Sequence, residues 1–136
     1  MFARNGQIFL SYSASDSRFA QALSKALEKR GAKVWSLEKL QPGVAWEREL
    51  RRAFKTAAWH VLLVSDDALT SRWFNFELGA AFGQGKRILP VFLSKAARRD
   101  AHSPLTQFQG IMAQGMSAGD VAERVLEVIE HAEEAA

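Results

Sequence analysis

Cysteine is absent from the 136 residues of this chain. That absence excludes disulfides, thiolate metal centres and a cysteine nucleophile, and it fits a reducing cytosol. Histidine is scarce, and His60, His102 and His131 share no spacing that would bring two imidazoles onto one metal ion. No metal is therefore expected. Apolar runs are short: none approaches the roughly 18 residues of a membrane span, and Met1-Phe2-Ala3-Arg4 leads into a strand-like segment instead of a signal peptide. A cytoplasmic protein without a membrane partner is expected. An excess of one charge is missing too, since 18 Lys and Arg against 15 Asp and Glu leave only +3. With its arginine pairs at Arg51-Arg52 and Arg98-Arg99 set far apart, such a balance is too mild and scattered for direct nucleic-acid binding. No internal repeat, low-complexity tract or linker interrupts the chain, which reads as a single domain over 1–136. Its length suffices to bury about two-thirds of the unfolded surface.

What is present is an alternation. Gln7-Ile8-Phe9-Leu10-Ser11-Tyr12 is a short run of strand formers ended by the turn-prone Ser13-Ala14-Ser15-Asp16. Phe19, Ala22, Leu23, Ala26 and Leu27 then recur at helical spacing until Gly31. Lys33 to Ser36 reads as a second strand, Leu37 to Val44 as a loop turned by Pro42-Gly43, and Trp46 to Ala57 as a helix with Leu50 and Phe54 on its apolar side. Trp59-His60-Val61-Leu62-Leu63-Val64 is nearly all apolar, as a strand covered on both faces should be. After Ser65-Asp66-Asp67 a helix bearing Trp73, Phe76, Ala80 and Phe82 is expected, ending near Gly83-Gln84-Gly85. Ile88 to Leu93 gives a fourth strand, in which Pro90 implies irregular or edge-like pairing. Lys95 to Gly115 is ambiguous apart from a possible fifth strand near Gly110-Ile111-Met112-Ala113, and Val121, Val125, Val128, Ile129 and Ala132 mark an amphipathic C-terminal helix. Strands alternating with helices imply an α/β fold, a flavodoxin-like three-layer sandwich with a central parallel sheet of about five strands and helices on both faces.

In such a sheet, ligands sit beyond the carboxyl ends of the strands, where the strand order reverses. The segments after Tyr12, after Ser36 and after Val64 all emerge there. The last of them carries Ser71-Arg72-Trp73-Phe74-Asn75-Phe76-Glu77, with a tryptophan and an acid four residues apart on one helix face. An indole beside a carboxylate suits cleavage of a bond to a cationic ring. The same pattern also suits a core tryptophan and a solvated helical glutamate.

Other motifs fail on spacing. Gly79 to Lys86 has five residues between Gly79 and Gly85-Lys86 and is followed by Arg87, where a phosphate loop needs four and then Ser or Thr. These glycines read as helix packing and a helix stop. His60 reads as a core imidazole. Asp66-Asp67 lacks the acidic partners after the first strand that a receiver-type phosphoacceptor site requires, since Ser11 and Tyr12 stand there.

Taken together, the segments resemble a TIR domain, the Toll/interleukin-1 receptor type, over nearly the whole chain. Ile8 to Tyr12 with Asp16 is similar to the family's first box, Leu37 to Gly43 to its BB loop, Trp73 with Glu77 to the Trp-x-x-x-Glu segment of NAD-cleaving members, and Arg87 to Val91 to its fourth strand. The sequence departs from the pattern at Gly6-Gln7 and Ser36, where acids are common, and in having no Phe-Trp third box. The resemblance, closest in kind to prokaryotic NAD-cleaving members, implies hydrolysis or cyclisation of NAD⁺ in defence or signalling, with Glu77 catalytic. It further implies that Trp73, Tyr12, Ser13 and Lys39 contact substrate, and that Pro42, Gly43 and Trp46 at the BB loop serve self-association with other TIR domains. NAD⁺ would be the substrate, with no separate cofactor and with a fused or separately encoded sensor as a possible partner. A non-catalytic TIR–TIR scaffold and a nucleoside-processing transferase with a lone Glu are the alternatives.

Overall fold

The computed structural model describes residues 7–36, 46–102 and 105–135. Strands β1 (Gln7–Ser11), β2 (Lys33–Trp35), β3 (Trp59–Val64), β4 (Arg87–Phe92) and β5 (Ile111–Met112) form one sheet in the order β2-β1-β3-β4-β5. Every neighbouring pair is parallel. The chain thus steps from β1 outward to β2, then crosses to the other side of β1, and the switch point lies between β1 and β3. Helices α1 (Ser17–Lys29), α2 (Trp46–Thr56), α3 (Asp66–Thr70), α4 (Arg72–Gly83), α5 (Lys95–Asp100) and α6 (Ala118–Ala135) make the connections and the C-terminal layer.

Alternation along the strands divides the core. Ile8, Leu10, Val61 and Leu63 face one way and pack with Leu23 and Leu27 of α1 and Val121, Val125 and Ile129 of α6. Facing the other way, Leu62, Val64, Ile88 and Phe92 pack with Phe74, Leu78 and Ala81 of α4, while Phe9 and Trp35 pack with Leu50 and Ala53 of α2. All six residues of β3 are buried, as its unbroken apolar run requires of a central parallel strand. Among the described residues no helix is long and apolar enough to cross a membrane.

Two expectations about the segment after β3 need correction. The single helix expected after β3 is two. Ser71 ends α3 and caps α4, accepting from the Phe74 amide at 3.2 Å, and Asn75 Nδ2 donates to the Leu69 and Ser71 carbonyls at 2.9 and 2.8 Å, which ties off the backbone groups freed by the break. The buried face of α4 is Phe74, Glu77, Leu78 and Ala81, whereas Trp73, Phe76 and Phe82 are exposed; apolar residues surround this helix, so periodicity alone cannot orient it. The ambiguous stretch from Lys95 contains α5, capped by Ser94, and a short 3-10 turn at Leu105–Gln107 before β5. Pro90 lies in an inner strand, yet β4 pairs with β5 only from Val91 onward. Gly110 abuts it instead, where a Cβ would fall 2.6 Å from the Pro90 carbonyl.

Candidate active site

The carboxyl edge at the switch point is braced by short polar side chains. Ser13 Oγ donates to Asp16 Oδ2 at 2.9 Å, Ser65 Oγ donates to the same oxygen, and Ser15 Oγ donates to Asp67 Oδ2 at 2.7 Å. The loop after β1 is thereby tied to the loop after β3. Ser65 also caps α3 through the Ala68 amide at 3.1 Å.

Against this edge α4 carries Glu77 inward. Because Glu77 occupies the helix face that holds Phe74, Leu78 and Ala81, its carboxyl is taken out of water and only 5% of the residue stays exposed. Ser11, the last residue of β1, donates its hydroxyl to Glu77 Oε2 at 2.7 Å. Burial raises the carboxyl's pKa from 4.5 to about 7, with the Ser11 hydrogen bond pulling the other way, as expected where desolvation outweighs a hydrogen bond to the charged form. The acid is poised to change charge near neutrality.

A cavity of about 340 Å³ opens over it, between α2 and α4. Leu50, Arg51 and Phe54 form the α2 wall, and Trp73, Phe76 and Ala80 of α4, with Gln84 just after it, form the facing wall beside Glu77. Trp73 is 39% exposed and stacks on Phe76, their centroids 5.8 Å apart and their planes 25° off parallel. A narrow cleft of about 10 Å³ reaches Glu77 and Trp73 from the sheet side, past Ser11, Tyr12 and Trp35. Beneath the cavity Phe9 stacks between Trp35, at 5.1 Å, and His60, at 5.2 Å, while Phe54 meets the His60 ring edge-on at 4.4 Å.

Of the residues singled out in the sequence, Glu77, Trp73 and Tyr12 converge. Ser13 borders neither opening and is spent on Asp16 and Ser15. Lys39, Pro42 and Gly43 lie outside the described residues, as does the side chain of Trp46, whose backbone opens α2. Sequence reasoning missed Ser11 as Glu77's partner, although a hydroxyl ending the strand at the switch point was a usable signal. It also missed the α2 wall, for which the Leu50 and Phe54 pair, one turn apart, was the clue. His60 is buried as expected, but its Nε2 and the Trp35 Nε1 have no hydrogen-bond partner among the described residues. Its pKa falls from 6.5 to about 4, first through burial and then through the charge of Lys86, against a hydrogen bond to the Phe54 backbone. A neutral imidazole beneath the cavity and a carboxyl that ionises near pH 7 are chemically distinct, and of the two only the carboxyl borders the cavity. No group of acidic and histidine side chains among the described residues is arranged to hold a metal ion.

A TIR domain family model matches residues 8–126. No curated protein sequence matches the chain. Among solved structures, the TIR domain of the Toll-related receptor TRR-2 from Hydra magnipapillata is similar at 14% identity and a TM-score of 0.68, over 93% of this chain and 95% of that one. A metazoan TIR-STING receptor from C. gigas, solved with 2′,3′-cGAMP, is similar at 22% identity and a TM-score of 0.73, over 90% of this chain but 38% of that longer one. The RPS4 and RRS1 TIR domain heterodimer is similar at 13% identity and a TM-score of 0.62, over 92% and 96%. At such identities the likeness is one of fold.

Proposed function

This chain belongs to the TIR domain family, and from that premise we propose that it is an NAD⁺ glycohydrolase or cyclase, of the prokaryotic defence or signalling kind, which cleaves the bond between nicotinamide and ribose C1′. The observation that carries this reading is Glu77: a carboxyl 5% exposed, held by Ser11, in a cavity walled by the ring of Trp73 one helical turn away. A structural helix gains nothing from an acid there, because burying it costs free energy that an apolar residue would not.

Most glycosidases need two carboxylates, since a leaving oxygen must be protonated as the sugar becomes oxocarbenium-like. Nicotinamide needs no proton. As the bond breaks, its electron pair returns to the ring nitrogen, which becomes neutral, and the positive charge passes to C1′ and the ribose ring oxygen. One anion beside C1′ stabilises that charge, and Glu77 is the acid among the described residues that line the cavity. Trp73 stacks on the nicotinamide ring, its face favouring the cation, and Tyr12 borders the ribose from the narrow cleft. Water arriving at C1′ gives ADP-ribose and a proton; a nucleophile from the same molecule gives a cyclic isomer. Self-association at the BB loop, through Pro42, Gly43 and Trp46, is the proposed means of activation.

A second reading has an observation of its own. Phe76 and Phe82 are 67% and 44% exposed on α4, and exposed aromatics of this size suit a protein interface, so a non-catalytic TIR–TIR scaffold is the competing function. Nicotinamide release from NAD⁺ by concentrated protein separates the two: the enzyme releases it, the scaffold does not.

A further inference from the structure

Resting on the nucleotide reading above, we propose that Arg51 recognises the phosphate next to the ribose in that cavity, and so selects phosphorylated over unphosphorylated nicotinamide ligands. Neighbouring cations on α2, Arg48, Arg52 and Lys55, do not border the cavity; Arg51 does, on the wall facing Trp73 and Glu77. It is exposed, and among the described residues no carboxylate pairs with it. The cavity is therefore polarised. A deep carboxyl stands at the floor, aromatic and aliphatic walls rise from it, and a single guanidinium stands on the α2 side.

Size narrows the occupant. About 340 Å³ lies at the small end of ligand pockets, which run from roughly 300 to 1,000 Å³, and suits one ring, a sugar and a phosphate better than a whole dinucleotide. With the ring on Trp73 and C1′ at Glu77, the phosphate on the far side of the ribose projects toward α2. A planar guanidinium matches two phosphate oxygens at once, which a lysine ammonium does not. The distal half of a dinucleotide then extends past Phe76 into solvent.

The test uses full-length protein carrying Glu77→Gln, so that ligands are bound without turnover, and calorimetric titration with nicotinamide mononucleotide and nicotinamide riboside, which differ by the phosphate. A charge-assisted, two-pronged contact should make the mononucleotide bind about tenfold more tightly or better. Adding Arg51→Gln should bring that ratio near one without changing riboside affinity, and Arg51→Lys should restore part of it. A ratio that survives Arg51→Gln, equal affinities with Arg51 in place, or no binding of either ligand at millimolar concentration would overturn the proposal. The outcomes separate from those of the enzymatic reading: NAD⁺ cleavage with an Arg51-independent ratio removes only the phosphate contact, whereas an Arg51-dependent ratio without cleavage keeps the contact and removes the enzyme.

Discussion

Replacing Glu77 by Gln should stabilise the protein at pH 8 and not at pH 4.5. The carboxyl's pKa is 4.5 when unfolded and about 7 when folded, so across that window the folded protein keeps a proton that the unfolded chain releases. At about 1.4 kcal/mol per pH unit for one proton, native stability falls by about 3 kcal/mol as pH rises through the window. Glutamine keeps the shape and can still accept from Ser11, but it never ionises. The advantage of Glu77→Gln over wild type is therefore constant below pH 4.5, grows through the window, and is larger by about 3 kcal/mol above pH 7. His60 contributes the opposite slope: with a pKa of 6.5 unfolded and about 4 folded, it makes the unfolded state the better proton binder, so stability rises with pH between those values. In wild type the two slopes cancel from about pH 4.5 to 6.5. In Glu77→Gln only the rise from His60 remains. Urea denaturation of both proteins at pH 4.5, 6 and 8, with midpoints and slopes compared, measures this. An offset between the two proteins that is the same at pH 4.5 and pH 8 would show that the buried carboxyl does not titrate in this window.

Trp73→Ala should lose activity while costing under about 1 kcal/mol of stability, because the indole is 39% exposed, whereas Phe74→Ala, beside it and 2% exposed, should cost about 3 to 5 kcal/mol; thermal melts beside kinetics separate the two. Ser11→Ala removes the hydrogen bond that holds the Glu77 pKa down, so the pH profile of kcat/KM, which should rise through about pH 7 as the free enzyme's acid ionises, should shift upward, and an unshifted profile would detach Ser11 from the reacting carboxylate. Specific activity should climb with protein concentration and Gly43→Pro should abolish the climb; a flat dependence from nanomolar to high micromolar protein would end the proposal of activation by self-association.

The sheet was legible because its strands are short, strongly apolar and spaced by helices, and β3 in particular can only be a strand covered on both faces. The position of Glu77 at the carboxyl edge followed from that topology. Its burial did not. Apolar residues surround α4, so the face that turns inward is chosen by the sheet residues Leu62 and Ile88 that it meets, and the chain between positions 71 and 83 carries no sign of that choice. The break at Ser71 was hidden for a similar reason: it depends on Asn75 bonding back to Leu69, a side-chain contact across the break that competes with a continuous helix. The α2 wall was legible as a helix and illegible as a site, because Arg51 is one of several arginines on a basic helix until the neighbouring α4 defines which of them faces the cavity.

The central claim is that a single buried carboxylate does the chemistry. Wild type and Glu77→Gln, both shown to be folded by the same melt, should be incubated with NAD⁺ at equal high concentration and nicotinamide release followed at pH 7.5. Cleavage by wild type and a loss of about a hundredfold or more in the variant, the size of one electrostatic stabiliser, is the result expected. Equal release by the two proteins would contradict it.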